Sequence, residues 1–272
     1  MLKPRLIPVL LFKNGVLVRS QHFEFFQSTG DPIGQVERFT QWKADELIYL
    51  DISRDNVYNA QGTMQNIGST TSGKDMGAAA SDNFIEVIQA VAQKCFVPLT
   101  VGGKIRTIDD IRVRLKSGAD KVSINSAALE NPSFITEAAQ VFGSQCIVVS
   151  IDVRKSPDGW EVYSHYGEHA TGLSVVEWAT KVASLGAGEI LLGSIDRDGA
   201  GEGYDIELVS AVASAVSIPV IALGGVGKFQ HFVEGLQSGA SAIAAANIFH
   251  FTEQSVINAK RFLQSSGVAV RL

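Results

Sequence analysis

Cysteine is scarce in this chain: its 272 residues include only Cys95 and Cys146. Each lies before or at the start of an apolar stretch that predicts a strand. Two isolated cysteines without a repeated spacing provide neither a disulfide framework nor a zinc site. We therefore predict buried, reduced thiols in a cytoplasmic protein.

Long apolar runs and basic tracts are also missing, and we expect no cleavable leader. No stretch of about 18 apolar residues predicts a membrane span, and Met1–Arg5 leads directly into an apolar strand. The net charge is −5 with dispersed basic residues, so neither nucleic acid nor an acidic membrane is an implied partner. The five histidines lack metal-ligand spacing apart from His165 and His169, and we expect no metal and no cofactor.

The sequence does contain an internal repeat. Pro98–Lys104 is an apolar run with a Gly-Gly pair, and Ser117–Asp120 follows it after a helix-like segment. Pro219–Gly225 and Ser238–Ser241 repeat this pattern about 120 residues later, which indicates two fused half-units.

Continuous apolar runs alternate with amphipathic segments along the whole chain, as expected for parallel strands covered on both faces by helices. The predicted strands are Leu6–Phe12, Glu46–Ile52, Val97–Val101, Lys121–Ile124, Ile147–Asp152, Glu189–Ser194, Pro219–Leu223 and Ala242–Ala246. The predicted helices are Ile33–Ala44 (with Asp31 as N-cap), Ser81–Lys94, Ile108–Ser117, Pro132–Phe142, Ser174–Leu185, Asp205–Val216, Lys228–Ser238 and Glu253–Ser265. This α/β order predicts one (β/α)8 barrel domain over residues 1–272, with a doubly wound open sheet as the alternative.

Two long connections follow predicted strands 1 and 2, at residues 14–30 and 53–80. Both leave the carboxyl ends of strands, the face on which barrel active sites form. Long loops in a compact domain are usually functional or disordered. We predict lids or partner contacts here, and inert insertions remain the alternative.

Gly-Gly pairs end predicted strands 3 and 7, where we expect each pair to open a helix. Backbone N–H groups and a helix N-terminus in this arrangement favour an oxyanion. Small polar residues end the next strands, at Asn125-Ser126 and Ala246-Asn247. The repeat therefore predicts two phosphate-type sites on opposite sides of the barrel mouth.

Carboxylates at strand ends are candidates for acid–base chemistry. Asp51, Asp152, Asp196 and Asp198 hold such positions, and Asp152 is the strongest catalytic candidate because it points toward the central cavity. The duplication aligns it with Leu11, which cannot transfer a proton. We expect Leu11 at a wet strand end, where an aspartate would be tolerated.

Longer motifs resemble the cyclase subunit of imidazole glycerol phosphate synthase nearly end to end, except in the loop after strand 2. They are Ile7-Pro8, Gly30–Pro32, Asp45–Leu47, Leu50–Ile52, Gly118–Asn125, Glu130–Pro132, Gly188–Leu191, Ser194–Gly199 and Gly203–Asp205. The resemblance implies a (β/α)8 barrel in a heterodimer with a glutaminase subunit. Ammonia from that partner would pass through the barrel to a bisphosphorylated ribulosyl substrate of histidine biosynthesis.

The resemblance also implies roles for individual residues. Arg5, Glu46, Lys121 and Glu189 match an ammonia gate at the barrel bottom, although a plug of ordinary salt bridges is the alternative. Asp120 matches a partner-interface aspartate, and Asp152 a catalytic one. Substrate and phosphate binding fall to Arg19, Gly103, Lys104, Asn125, Ser126, Asp198, Gly199, Gly224, Gly225, Ala246 and Asn247.

Departures from the family pattern are confined to the top face. Leu11 replaces the first of the two catalytic aspartates, Lys104 a phosphate-loop glycine, Ala200 a threonine and Leu223 a serine, while Arg19 replaces a lysine. A retained gate with an altered acceptor site predicts ammonia delivery to a different phosphorylated or nucleotide-sugar acceptor. Related second copies of the family convert acetamido into acetamidino sugars in surface-polysaccharide synthesis.

Three other functions stay open. Histidine biosynthesis itself is favoured by the resemblance, although the loss of an acid–base group disfavours ordinary cyclisation. A non-catalytic barrel that binds and activates the glutaminase is the alternative from a different class. A related sugar-phosphate isomerase is weaker, because it needs carboxylates on both halves.

Overall fold

Eight parallel strands form a closed ring in this computed structural model, which describes residues 3–54, 58, 84–250 and 254–272. In chain order they are β1 (Arg5–Lys13), β4 (Leu47–Asp51), β5 (Leu99–Gly102), β6 (Lys121–Ile124), β7 (Ile147–Ser156), β10 (Glu189–Ser194), β11 (Val220–Leu223) and β12 (Ala242–Ala245). Adjacent strands pair in parallel, and β7 pairs with β10 to close the ring. The predicted (β/α)8 barrel is therefore confirmed, and the open-sheet alternative is wrong.

Nine α-helices are present among the described residues. They are α1 (Pro32–Gln41), α2 (Phe84–Ala92), α3 (Ile108–Lys116), α4 (Ser126–Glu130), α5 (Ser133–Phe142), α6 (Val175–Ser184), α7 (Ile206–Ala215), α8 (Gln230–Gln237) and α9 (Val256–Ser265). The Asp31 carboxylate accepts hydrogen bonds from the backbone N–H groups of Ile33 and Gly34, so the predicted N-cap is confirmed. None of the described helices is long and apolar enough to cross a membrane.

Two antiparallel ribbons extend the ring above its carboxyl end. Strands β2 (Val16–Gln21) and β3 (Phe25–Gly30) continue from β1, and β8 (Gly159–Ser164) and β9 (His169–Ser174) continue from β7. The predicted loop over residues 14–30 is thus wrong. Asn14 and Gly15 both have positive φ, as a tight hairpin turn requires, and the Asn-Gly pair is a strong hairpin signal.

The remaining boundary differences are small. Helix α4 was not predicted, α9 begins at Val256, and the predicted helix from Pro132 begins at Ser133. Most of the predicted 53–80 loop, together with residues 81–83 and 251–253, lies outside the described residues. Cys95 and Cys146 are free, as predicted, but they are half-buried rather than buried.

The barrel interior is layered along its axis. A charged ring lies near the strand starts, and above it lies an apolar cluster formed by Ile7, Val9, Ile48, Val148, Leu191, Ile221, Ala242 and Ala244. A larger cluster fills the space between the strands and the helices. Because apolar side chains line the interior of the ring, we expect its chemistry at the two ends.

Candidate active site

A cavity of about 650 Å³ opens at the carboxyl ends of the barrel strands. Eight residues predicted to bind or act on substrate line it: Gly103, Lys104, Asn125, Ser126, Asp152, Asp198, Gly224 and Ala246. This is the face on which (β/α)8 enzymes carry their active sites. We therefore treat this cavity as the candidate active site.

Asp152 projects into the cavity from β7. Its Oδ2 accepts a 2.7 Å hydrogen bond from Nδ2 of Asn125. Gly193 pairs with it in register on β10, and a Cβ there would lie 2.8 Å from Oδ1 of Asp152. Burial first, and then the negative charge of Asp198, raise the pKa of Asp152 to about 7. A carboxyl group with this pKa can donate or accept a proton near neutral pH.

Asp198, which follows β10, holds the ribbon of β2 and β3 in place through hydrogen bonds. Its Oδ2 accepts hydrogen bonds from Ser20 Oγ at 2.6 Å and from the backbone N–H of Phe23 at 3.2 Å. Its backbone oxygen accepts one from the N–H of His22 at 3.0 Å. Burial raises the pKa of Asp198 although these hydrogen bonds oppose the shift. Asp198 therefore joins the ribbon to the cavity floor.

A second cavity of about 560 Å³ lies beside the first and is lined by Arg19, Gly199 and Asn247. Ser20 and Phe26 line both cavities. Arg19 is held by Gln27 opposite it on the ribbon: Nε donates to Oε1 at 2.8 Å, and Nη2 also contacts that oxygen. Three predicted substrate-binding residues thus meet at one polar hollow next to the main cavity.

Gly225 was predicted to bind phosphate, but it lines neither cavity. A Cβ on Gly225 would lie 2.1 Å from the backbone oxygen of Gly203, and the oxygen of Gly225 accepts a 2.7 Å hydrogen bond from the N–H of Gly203. This glycine permits close packing of two loops. The helices also do not start at the Gly-Gly pairs. Helix α3 begins at Ile108 and α8 at Gln230, whereas helical turns start at the predicted residues Ser126 and Asn247.

Lys104, just after the end of β5, faces a buried carboxylate of the neighbouring strand β4. Its Nζ lies 3.5 Å from Oδ2 of Asp51, whose side chain is fully buried, and 3.4 Å from the hydroxyl oxygen of Tyr58. That hydroxyl donates a 2.6 Å hydrogen bond to Asp51. Lys104 has a φ of 54°, a conformation that favours glycine. The two phosphate-type corners predicted from the repeat are therefore chemically unlike.

Leu11 is half-buried and lines the candidate active site. It packs against the apolar barrel interior and against Val16 and Val18 of the first ribbon. It pairs in register with Val18 on one side and with Leu50 on the other. The expected wet strand end is therefore confirmed in part: Leu11 lines the cavity, while the ribbon after β1 covers another side of it.

Four charged side chains form a closed ring at the opposite end of the barrel. Arg5 Nη1 lies 2.7 Å from Glu46 and 2.9 Å from Glu189, and Lys121 Nζ lies 3.2 Å from each of the same two carboxylates. Burial lowers the pKa of Arg5, but pairing with the two glutamates outweighs burial and raises it overall. The four residues predicted to meet at the barrel bottom do meet there.

Two aspartates at the barrel bottom hold the starts of strands. Asp120 is exposed, and its Oδ2 accepts a 2.8 Å hydrogen bond from the N–H of Leu99. Asp45 does the same for Leu6 at 2.8 Å, but it is buried and also pairs with Lys260 at 2.8 Å. The predicted interface residue Asp120 is thus accessible at the end of the barrel that carries the charged ring.

The rim of the cavity contains residues that were not predicted. The turn between β8 and β9 places Tyr166 so that its hydroxyl donates a 3.0 Å hydrogen bond to the backbone oxygen of Ser53. His165 lies 3.3 Å from Glu130, which pairs with Arg106 at 3.2 Å. The Pro157-Asp158-Gly159 turn sequence could have predicted this second ribbon. No local sequence pattern, however, indicates that the turn of this ribbon contacts the loop after β4.

The remaining candidates from the sequence are Asp196, His165 and His169, and each contacts another residue of the chain. Asp196 accepts a hydrogen bond from the backbone N–H of Lys155 at 2.8 Å. The rings of His165 and His169 contact each other in a tilted arrangement, with centroids 4.8 Å apart. Within the described residues, no group of three or more His, Cys, Asp or Glu side chains is placed to hold a metal ion.

The ring of eight parallel strands, with a carboxyl group in a cavity at its carboxyl end, defines the class of (β/α)8-barrel enzymes. A protein-family model described as "Histidine biosynthesis protein" matches residues 75–255, more than half of the chain. The chain therefore belongs to this family of histidine-biosynthesis barrel enzymes. The match includes the repeat, Asp152 and most of the cavity wall.

Proposed function

We propose that this chain is the ammonia-using synthase subunit of a glutamine amidotransferase complex, of the cyclase type and with an altered acceptor. One observation carries this proposal: a closed charged ring, an apolar interior and a protonatable carboxyl group follow one another along the barrel axis. Each layer suits one step in the passage of ammonia from the barrel bottom to an acceptor at the top.

The ring of four charged side chains at the barrel bottom suits an inlet that admits a neutral molecule. Arg5 and Lys121 balance Glu46 and Glu189, so the ring has no formal net charge. The apolar layer above it disfavours ions, which lose hydration there, more strongly than it disfavours neutral ammonia. Its β12 side presents Ala242 and Ala244, which leave more room than branched side chains. This combination supports a path for ammonia rather than ammonium.

The partner in this proposal is a glutaminase subunit bound at the barrel bottom. Asp120 is exposed at that end and its carboxylate already holds the start of β5, so its position is fixed. A fixed acidic group beside the inlet suits a basic group on the partner. Docking there would cover the inlet and deliver ammonia into it.

The altered acceptor follows from position 11: Asp152 lines the cavity on β7, but the strand opposite it carries Leu11 instead of a carboxyl group. Ordinary cyclisation in the resembling family uses two aspartates, and Leu11 stands in place of one of them. Replacing the oxygen of an amide by ammonia needs one acid at that oxygen. Ammonia adds to the carbonyl carbon, and two protons pass from the added nitrogen to the oxygen, with Asp152 giving one to the oxygen and regaining one from the nitrogen. The carbon–oxygen bond then breaks, and an amidine and water result. Conversion of an acetamido into an acetamidino sugar fits this requirement.

The decisive experiment supplies ¹⁵N-ammonium chloride to the purified chain at pH 8. One reaction contains the bisphosphorylated ribulosyl substrate, and the other contains a nucleotide sugar with an acetamido group. We expect little turnover of the first and a ¹⁵N-amidine from the second. The Asp152→Asn variant should abolish amidine formation while keeping its fold. Fast cyclisation of the ribulosyl substrate would overturn the altered-acceptor proposal.

A non-catalytic role is a separate outcome of the same set of measurements. A barrel that only activates a glutaminase would raise glutamine hydrolysis by the partner without consuming either acceptor. Neither phosphorylated acceptor would then raise the melting temperature of the chain. We expect the nucleotide sugar to raise it, because ligand binding to the folded state stabilises that state.

A further inference from the structure

The floor of the cavity is divided into an apolar and a polar half. Four consecutive strands of the ring, β11, β12, β1 and β4, present Leu223, Ala246, Leu11 and Leu50 near their carboxyl ends. All four side chains are partly buried and pack on the apolar barrel interior. They form a continuous apolar surface, which we call the leucine side.

The opposite strands of the ring present polar groups to the same cavity. Ser123 and Asn125 come from β6 and its end, and Ser150 and Asp152 come from β7. Nδ2 of Asn125 donates to Asp152, whereas its buried Oδ1 accepts no hydrogen bond from any described residue. An unpaired buried acceptor costs free energy unless a ligand supplies a donor. We call this the carboxyl side.

Glycines mark both borders between the two sides. Gly193 pairs in register with Asp152 on one side and with Leu223 on the other. No side chain therefore lies between those of Asp152 and Leu223. Gly102 pairs with Leu50 and with Ser123, and a Cβ on Gly102 would lie 2.6 Å from Cδ2 of Leu50. The Asp152 and Leu50 side chains occupy the space left by these glycines. The cavity floor therefore has one apolar side and one polar side, with a glycine at each border between them.

We infer that the cavity floor binds the small N-acyl group of a phosphorylated amino sugar, with its methyl group on the leucine side and its carbonyl oxygen facing Asp152. A hydroxyl group of the sugar ring then donates to Oδ1 of Asn125, since the N–H of a trans amide points away from its carbonyl oxygen. This inference rests on the proposed function, because it names the group that ammonia would meet. Leu11 and Leu223 thereby become specificity-determining residues rather than lost polar groups.

The test is a titration of two probes by calorimetry, without ammonia and without a glutaminase. The probes are N-acetylglucosamine 1-phosphate and its N-glycolyl counterpart, which adds one hydroxyl group to the acyl methyl. An apolar pocket discriminates against an added hydroxyl by on the order of 10- to 100-fold. We expect the N-acetyl probe to bind more tightly by such a factor.

Variants assign the preference to the leucine side. Leu223→Ser and Leu11→Asn should each bring the ratio of the two dissociation constants close to one. Leu173→Ser, at a partly exposed position on β9, is the matched control and should keep the wild-type ratio. If Leu11→Asn does not fold, Leu223→Ser still decides the question.

The inference is overturned if wild type binds both probes equally, if it binds neither, or if the ratio survives in both leucine variants. These outcomes are distinct from failure of the proposed function. Loss of ¹⁵N incorporation together with a retained N-acetyl preference would reject ammonia transfer and leave the N-acyl site in place. Incorporation without any preference would reject the site alone.

Discussion

Asp152 and Asp198 lie near enough at the cavity floor for the charge of Asp198 to contribute to the raised pKa of Asp152. Burial is the larger cause, and the hydrogen bond from Asn125 opposes both effects. The pKa of Asp152 rises from 3.8 to about 7. Between these values the folded state therefore binds a proton that the unfolded state has released.

Asp152→Asn should stabilise the protein more at pH 8 than at pH 5. The raised pKa means that ionised Asp152 disfavours the folded state, so wild-type stability falls as pH rises from about 4 to about 7. An uncharged asparagine removes that loss. Because the cavity admits water to this side chain, we expect a difference of roughly 2 kcal/mol between the two pH values. Urea denaturation at both pH values measures it, and an equal change at both would contradict the assignment.

Asp198→Asn should lower the pKa of Asp152, because it removes a nearby negative charge. Asparagine keeps an oxygen that can accept the hydrogen bonds from Ser20 and the N–H of Phe23. The carboxyl ¹³C resonance of Asp152, followed across pH 4–9, should then titrate at lower pH than in wild type. Asp196→Asn is the control, since its partner is the backbone N–H of Lys155. An unchanged titration would show that burial alone accounts for the shift.

Glu46→Gln should destabilise the chain by about 3 kcal/mol, because Arg5 and Lys121 would then share one buried carboxylate. The side chains of the ring are only 8–16% exposed, so water compensates them poorly. Glu37→Gln is the matched control: Glu37 pairs with Lys94 at 2.8 Å where both side chains are about half exposed. Its cost should stay below about 1 kcal/mol. Similar losses in both variants by urea denaturation would mean that the ring is not a coupled unit.

The barrel could be predicted from the sequence because its signals are local and repeated. Each barrel strand is a continuous apolar run, and the matching glycines recur in both halves with similar backbone angles. Gly103 and Gly224 have φ values of 103° and 104°, and Gly118 and Gly239 have values of 112° and 102°. The Asn14-Gly15 hairpin signal was equally local but lay within a segment interpreted as a loop.

The cavity was less predictable because its properties arise from the ring order. No pattern within one strand indicates that Leu223, Leu11 and Leu50 become neighbours on one side of the floor. The orientation of the Lys104 side chain also could not be predicted from its position after a Gly-Gly pair. It depends on Asp51 and Tyr58, which approach from the neighbouring strand and loop.

Ala244→Leu should reduce glutamine-dependent synthesis more than ammonium-dependent synthesis. Ala244 is fully buried in the apolar layer above the charged ring. A larger side chain there would fill the path proposed for ammonia, whereas ammonium salts also supply ammonia through the open cavity at the top. Both rates are measured with the glutaminase partner present. Overpacking costs about 1–3 kcal/mol, so a melting curve must show a folded protein. Equal losses in both rates would contradict an axial path.

Leu11→Asp should lower the melting temperature by about 5–10 °C, because it places a carboxylate in an apolar contact between the first ribbon and the barrel interior. The same substitution at the partly exposed Leu173 should have little effect. Where the variant folds, position 11 carries a second carboxyl group on the strand opposite Asp152. Ribulosyl cyclisation with ammonium should then increase at least tenfold, since a positioned acid–base group is worth about 10²–10⁴-fold. No increase in a folded variant would show that further residues, such as Lys104 and Leu223, also prevent cyclisation.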